Sequence, residues 1–68
     1  MAIKMLTREG EKGKNSHCEF LCDTSSDVAN LPTETSKGTV GDYCSAGSIA
    51  IIAEDKSLVI LNNQGEWV

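Results

Sequence analysis

His17, Cys18, Cys22 and Cys44 are the residues whose types most directly suggest chemistry, because thiolates and imidazole together suit a tetrahedral metal such as zinc. Their spacing argues against that use. In an extended strand His17 and Cys18 point to opposite faces, so both cannot ligate one ion without a bend. Cys18 and Cys22 share a face but lie about 13 Å apart along a strand rising about 3.3 Å per residue. The expectation is that Cys18, Cys22 and Cys44 are small buried apolar residues and that no metal is bound. A cysteine nucleophile fares no better. His17 is the single histidine, and as the chain neighbour of Cys18 it lacks the geometry of a base beside a nucleophile. The carboxylate pair Glu54 and Asp55 falls in an expected solvated turn. Gly38, Gly41 and Gly47 lack the strand–loop–helix setting of a phosphate loop. No catalytic residue, cofactor site or metal site is expected, and the chain reads as a non-enzyme.

The elements that position these residues read as mainly β. Residues 2–8 make a strand with Ile3 and Met5 alternating against Lys4. Residues 9–16 form a polar connection, and residues 17–23 make a half-buried strand with Cys18, Phe20 and Cys22 on one side. These two strands would pair as an antiparallel hairpin. Ser25 or Ser26 can cap a short helical turn through Asn30, favoured by Asp27 near its start and stopped by Pro32, which holds Leu31 extended. Residues 32–42 form a polar loop. Residues 48–53 and 58–61 then form the clearest feature, a hairpin around the polar turn 54–57. Asn62 to Gly65 turns the chain again, and residues 66–68 end it in an extended piece. The expected fold is one small antiparallel sheet of about four to five short strands with one short helical turn, a single domain over residues 1–68. Both hairpin strands are apolar on both faces, Ile49 and Ile51 against Ala50 and Ile52, Leu58 and Ile60 against Val59 and Leu61. A strand with one wet face would alternate, so the hairpin is either covered on both sides within this chain or presents one face to a partner, and so short a chain favours the partner for at least part of it.

Composition points the same way. The chain has 68 residues, of which only 4 % are aromatic: one Phe, one Trp and one Tyr. A chain of this size buries roughly 60 % of its unfolded surface, and large aromatics usually supply much of that burial, so help from another chain is expected. The net charge of −4 and a pI near 4.7 disfavour nucleic-acid binding through phosphate neutralisation. Lys4, Arg8, Lys12 and Lys14 against Glu9 and Glu11 leave the first fourteen residues at +4 − 2 = +2 and the remainder at −6, a bias that an ordinary solvated strand and loop explains. No signal peptide and no membrane span are expected, and three cysteines, an odd number, fit a reducing compartment.

From Leu31 onward the order of short motifs adds a resemblance. Leu31-Pro32, a polar spacer, Val40-Gly41-Asp42, Ala46-Gly47-Ser48, an apolar strand, an acidic turn, Leu58-Val59-Ile60-Leu61-Asn62 and Gly65-Glu66-Trp67-Val68 together resemble a small β module of phages and prophages of Gram-positive hosts. That module occurs in head-fibre or capsid-decoration proteins, and a similar layout occurs in tail-fibre and collar proteins. Two departures stand out: the family hairpin often carries a Tyr where this chain has Val59 or Ile60, and residues 1–30 match no motif of the module. The resemblance implies that residues 31–68 are the module and that residues 1–30 are strands serving as a particle-specific attachment part. In this view Gly41 and Asp42 turn into the next strand, Gly47 permits close backbone approach, and Asn62 and Gly65 swing Trp67 over the hairpin.

The expected function is that of a virion structural protein, made in the cytoplasm of the bacterial host and placed on the capsid surface. Its partners would be the major capsid protein, other copies of itself in a homotrimer or symmetric multi-copy array, or both. Neither nucleic acid, nor a membrane, nor a small-molecule substrate is an expected partner. The candidate partner interface is Ile49, Ile51, Val59, Leu61 and Trp67, with Trp67 as a plain core residue the competing assignment. The alternatives are a tail or baseplate fibre module, or a small phage-encoded binding protein outside the particle.

Overall fold

The computed structural model describes residues 3–10 and 16–68, so residues 11–15 of the expected connection over residues 9–16, including Lys12 and Lys14, and the start of the first strand at residue 2 lie outside the described residues. The architecture is mainly β: four strands, β1 (Ile3–Glu9), β2 (His17–Cys22), β3 (Ile49–Ile52) and β4 (Ser57–Ile60), lie in the order β1-β2-β3-β4 in one sheet. The pairs β1–β2 and β3–β4 are antiparallel, as the sequence predicts. The central pair is not: β2 and β3 run parallel, with Glu19 opposite Ile49 and Cys22 opposite Ile52. The sheet is therefore mixed rather than antiparallel. The reason is the long connection, residues 23–48, which carries the chain back to the starting end of β2 before β3 begins. A parallel pair requires such a crossover.

Strict alternation along β2 sorts its side chains, with Cys18, Phe20 and Cys22 buried and His17, Glu19 and Leu21 half-buried on the opposite face. The buried set continues across the sheet as Ala50, Ile52 and Leu61. The crossover lies over this inner face and closes it with Leu31 and Cys44, while Ile3, Met5, Val28, Val40, Val59 and Trp67 pack at the margin. Strands of residues 1–30 and of residues 31–68 share this one sheet and one core.

The crossover starts with a 3₁₀ turn, Ser25–Asn30. Its cap is Thr24 rather than Ser25 or Ser26: the Asp27 carboxylate reaches back and accepts the Thr24 amide at 3.1 Å, which satisfies a donor the helix start leaves open. Leu31, before Pro32, takes the extended φ −72, ψ 149 that the proline ring imposes. Beyond it the loop folds on its own backbone. The amide of Thr39 donates to the Asn30 carbonyl at 3.0 Å and that of Cys44 to the Thr33 carbonyl at 3.2 Å. Arg8 of β1 pins the far end, donating to the Ser16 hydroxyl and the Tyr43 carbonyl at 3.3 Å and pairing with Asp42 at 3.8 Å. Ser48 joins the crossover to the sheet. Its buried hydroxyl donates to the Ser45 carbonyl at 2.8 Å and accepts the Cys18 amide at 3.1 Å, so burial leaves it satisfied.

After β4 the chain turns at Asn62–Gly65. The Asn62 side-chain oxygen accepts the amides of Gln64 and Glu66, each at 2.9 Å, and Gly65 takes φ +81. Residues 66–68 then return beside β4, with Ile60 and Val68 exchanging two backbone bonds of 2.9 Å and Leu61 bridged to Trp67.

Candidate functional site

The parallel and antiparallel registers together fix which side chains share the sheet's outer face. Lys4, Leu21, Ile51 and Leu58 stand opposite one another across the four strands and form a first row. Thr7, Glu19, Ile49 and Ile60 form a second, extended by Val68 beside Ile60. On β3 and β4 both rows are aliphatic, and much of this surface is open: Ile51 is 40 % exposed, Leu58 51 %, Ile60 45 % and Val68 66 %. Ile49 and Leu21 are half-buried between them. The ionisable residues that the strand registers place on this face, Lys4, Glu9, His17 and Glu19, belong to β1 and β2, with His17 Nε2 3.9 Å from a Glu19 carboxylate oxygen. The exposed aliphatic side chains thus gather over β3 and β4, with the ionisable ones to one side.

The five residues expected at the partner interface divide between the two faces. Ile49 and Ile51 are on the outer face. Val59, Leu61 and Trp67 are on the inner face, Leu61 within this chain's own core and Val59 and Trp67 packed against it, which corrects their assignment. Leu61 is 1 % exposed. Trp67 packs edge-on against Phe20, with ring centroids 6.1 Å apart and planes at 77°. Its indole N–H donates to the Pro32 carbonyl at 2.9 Å, so it clamps the crossover onto the sheet. Leu58, Ile60 and Leu21 take their places on the outer face. The signal for them is register: once Ala50 and Ile52 point inward, Ile51 and its cross-strand neighbour Leu58 must point outward.

The turn residues are where expected, with two changes of role. Gly41, Gly47 and Gly65 all have positive φ, and Asn62 organises the last turn. Gly41 and Asp42 do not lead directly into a strand, because β3 begins only at Ile49; Asp42 instead accepts the Tyr43 amide at 2.8 Å and faces Arg8. Gly47 has open space where a Cβ would stand, so close approach does not explain it; its φ of +95 does. The close approach occurs at Gly38, a loop glycine to which the sequence assigns no such role.

The cysteines are all fully buried and none is in a disulfide. The thiols of Cys18 and Cys44 point at the carbonyls of Ser16 at 3.9 Å and Pro32 at 3.3 Å. Burial pushes all three thiols above their ordinary pKa. For Cys18 the Arg8 charge and the Ser16 contact oppose that rise; for Cys22 the Asp27 and Asp23 charges add to it; for Cys44 the Ser48 hydroxyl opposes it most. Thiols held neutral are poor nucleophiles and poor metal ligands. No group of three or more His, Cys, Asp or Glu side chains suited to a metal comes together among the described residues.

The chain matches no family model, no curated protein and no solved structure.

Proposed function

We propose that this chain is a non-enzymatic virion structural protein that decorates or attaches to a phage capsid through protein–protein contacts. The observation that carries the reading is the uncovered aliphatic patch of Ile49, Ile51, Leu58 and Ile60 on the outer sheet face. These residues stay out of the chain's own core although large aromatics are few. Burying the open half of each is worth roughly 1 kcal/mol, too little for one contact, but enough when many copies repeat it on a symmetric shell. The motif order from Leu31 to Trp67 supports the phage setting and acquires a physical meaning: its two ends meet where the Trp67 indole binds the Pro32 carbonyl.

Mass spectrometry of purified particles from the phage or prophage that encodes the chain tests the proposal. The protein is expected at a stoichiometry comparable to the capsid protein, and labelled antibody is expected on the head. Absence from particles overturns the reading, and label confined to the tail replaces decoration with a fibre role.

A further inference from the structure

We infer that a second copy of this chain occupies the outer sheet face, packed face to face about a two-fold axis that crosses the strands midway between the two rows. The inference rests on the proposal that this face is an association surface and names what covers it.

The edges of the sheet argue first for a face contact. β1, one edge strand, carries a bulge between Met5 and Thr7 and the exposed, charged Lys4, features that discourage addition of another strand. β4, the other edge strand, is covered from Ile60 onward by residues 66–68. The face between them has no such protection. Area agrees. A stable interface takes about 800 Å² from each partner, roughly a fifth of this chain's 4085 Å². A four-stranded face offers more of that area than a single strand edge does.

Charge then selects the copy and its register. An isologous contact sets the same patch against itself, so each candidate axis can be judged by what it stacks. An axis on the first row lays Lys4 on Lys4. An axis on the second lays Glu19 on Glu19. Both bury like charges together, which opposes binding. An axis midway between them lays the first row on the second: Ile51 on Ile49, Leu58 on Ile60, Leu21 on Glu19 and Lys4 on Thr7. Lys4 of each copy then stands one strand spacing, about 4.8 Å, to the side of Glu19 of the other. Two Lys4–Glu19 pairs form by symmetry while the aliphatic halves interdigitate. Aligned packing of sheets about 10 Å apart accommodates this arrangement.

The test is sedimentation equilibrium of the full chain at 10–200 µM, with circular dichroism to verify folding. The expected mass is twice the 7.3 kDa of the chain. Leu58→Glu, at an open surface position, is expected to keep the spectrum and raise the dimer dissociation constant more than tenfold. Lys4→Glu and Glu19→Lys are each expected to weaken the dimer severalfold at low salt, and the double variant to return to within about twofold of the parent. A monomer across the range, a trimer, or a double variant weaker than either single one overturns the inference. If the chain is monomeric yet present on particles and Leu58→Glu removes it, the face belongs to a capsid protein and only the two-fold pairing falls. A dimer of the described behaviour that is absent from particles upholds the pairing and overturns the virion role.

Discussion

Single residues set the tightest constraints in the crossover. At Gly38, φ is +56 and a Cβ would stand 2.3 Å from the Asn30 carbonyl oxygen and 2.9 Å from the backbone of Leu31 and Pro32. Backbone on that side is itself fixed by the proline and by the Thr39 hydrogen bond, so it has little freedom to yield. Gly41 and Gly65 also have positive φ but open space around them. Gly38→Ala should therefore cost well over the ~1–2 kcal/mol of left-handed strain expected for Gly41→Ala or Gly65→Ala, and urea midpoints of the three variants check the ranking. Equal losses would mean that the contact at Gly38 relaxes freely. The reverse substitution applies at Lys56, a non-glycine residue with φ +59 in the β3–β4 turn. Lys56→Gly should stabilise by about 1 kcal/mol, seen as a higher thermal midpoint with unchanged ligand-free spectra.

At the scale of elements, the short C-terminal return does more than end the sheet. It covers part of the β4 edge and delivers Trp67 to Phe20 and Pro32, coupling three segments far apart in the chain. Trp67→Phe keeps a ring against Phe20 but leaves the Pro32 carbonyl without its indole donor, and should cost about 1 kcal/mol. Trp67→Ala removes the packing as well and should cost about 3 kcal/mol, the low end for Trp because the ring is only half-buried. Chemical denaturation followed by circular dichroism measures both, and equal costs would show that the hydrogen bond alone matters. The strands themselves were legible, since alternation at Cys18-Phe20-Cys22 and the apolar runs of β3 and β4 are local signals. The parallel pairing of β2 with β3 was not, because alternation says which residues share a face and nothing about which strand lies alongside. The same limit explains the divided interface. With apolar residues on both faces of the hairpin, the sequence does not say that Ile49 and Ile51 lie on the outer face and Val59, Leu61 and Trp67 on the inner one, because the crossover that covers the inner face is joined through backbone carbonyls with no sequence signature. Leu58 and Ile60 went unselected for the same reason.

For the whole molecule, the small core makes stability depend on its thiols. Among the described residues, three of the eight in the buried apolar core are Cys18, Cys22 and Cys44, on both layers of the inner face, so none can ionise without disturbing the sheet–crossover contact. Each is raised above the ordinary value of 9.0, chiefly by burial. The sign follows directly: below about pH 9 the thiols are neutral in folded and unfolded chains alike, and their contribution is constant. Above it the unfolded chain loses protons that the folded chain keeps, so stability falls as pH rises toward the folded values. The slope is at most about 1.4 kcal/mol per pH unit for each thiol. Urea midpoints should accordingly hold steady from pH 7 to 8.5 and drop between pH 9 and 10.5. Replacing Cys22 by Ala should lower the plateau, through lost packing, yet make the alkaline drop shallower, because one coupled proton is gone. A thiol reagent offers an independent readout: all three cysteines should react slowly in the native protein at pH 8 and rapidly in urea. A midpoint that stays level to pH 10.5, or native thiols that react as fast as unfolded ones, would show that the cysteines are not coupled to the fold in this way.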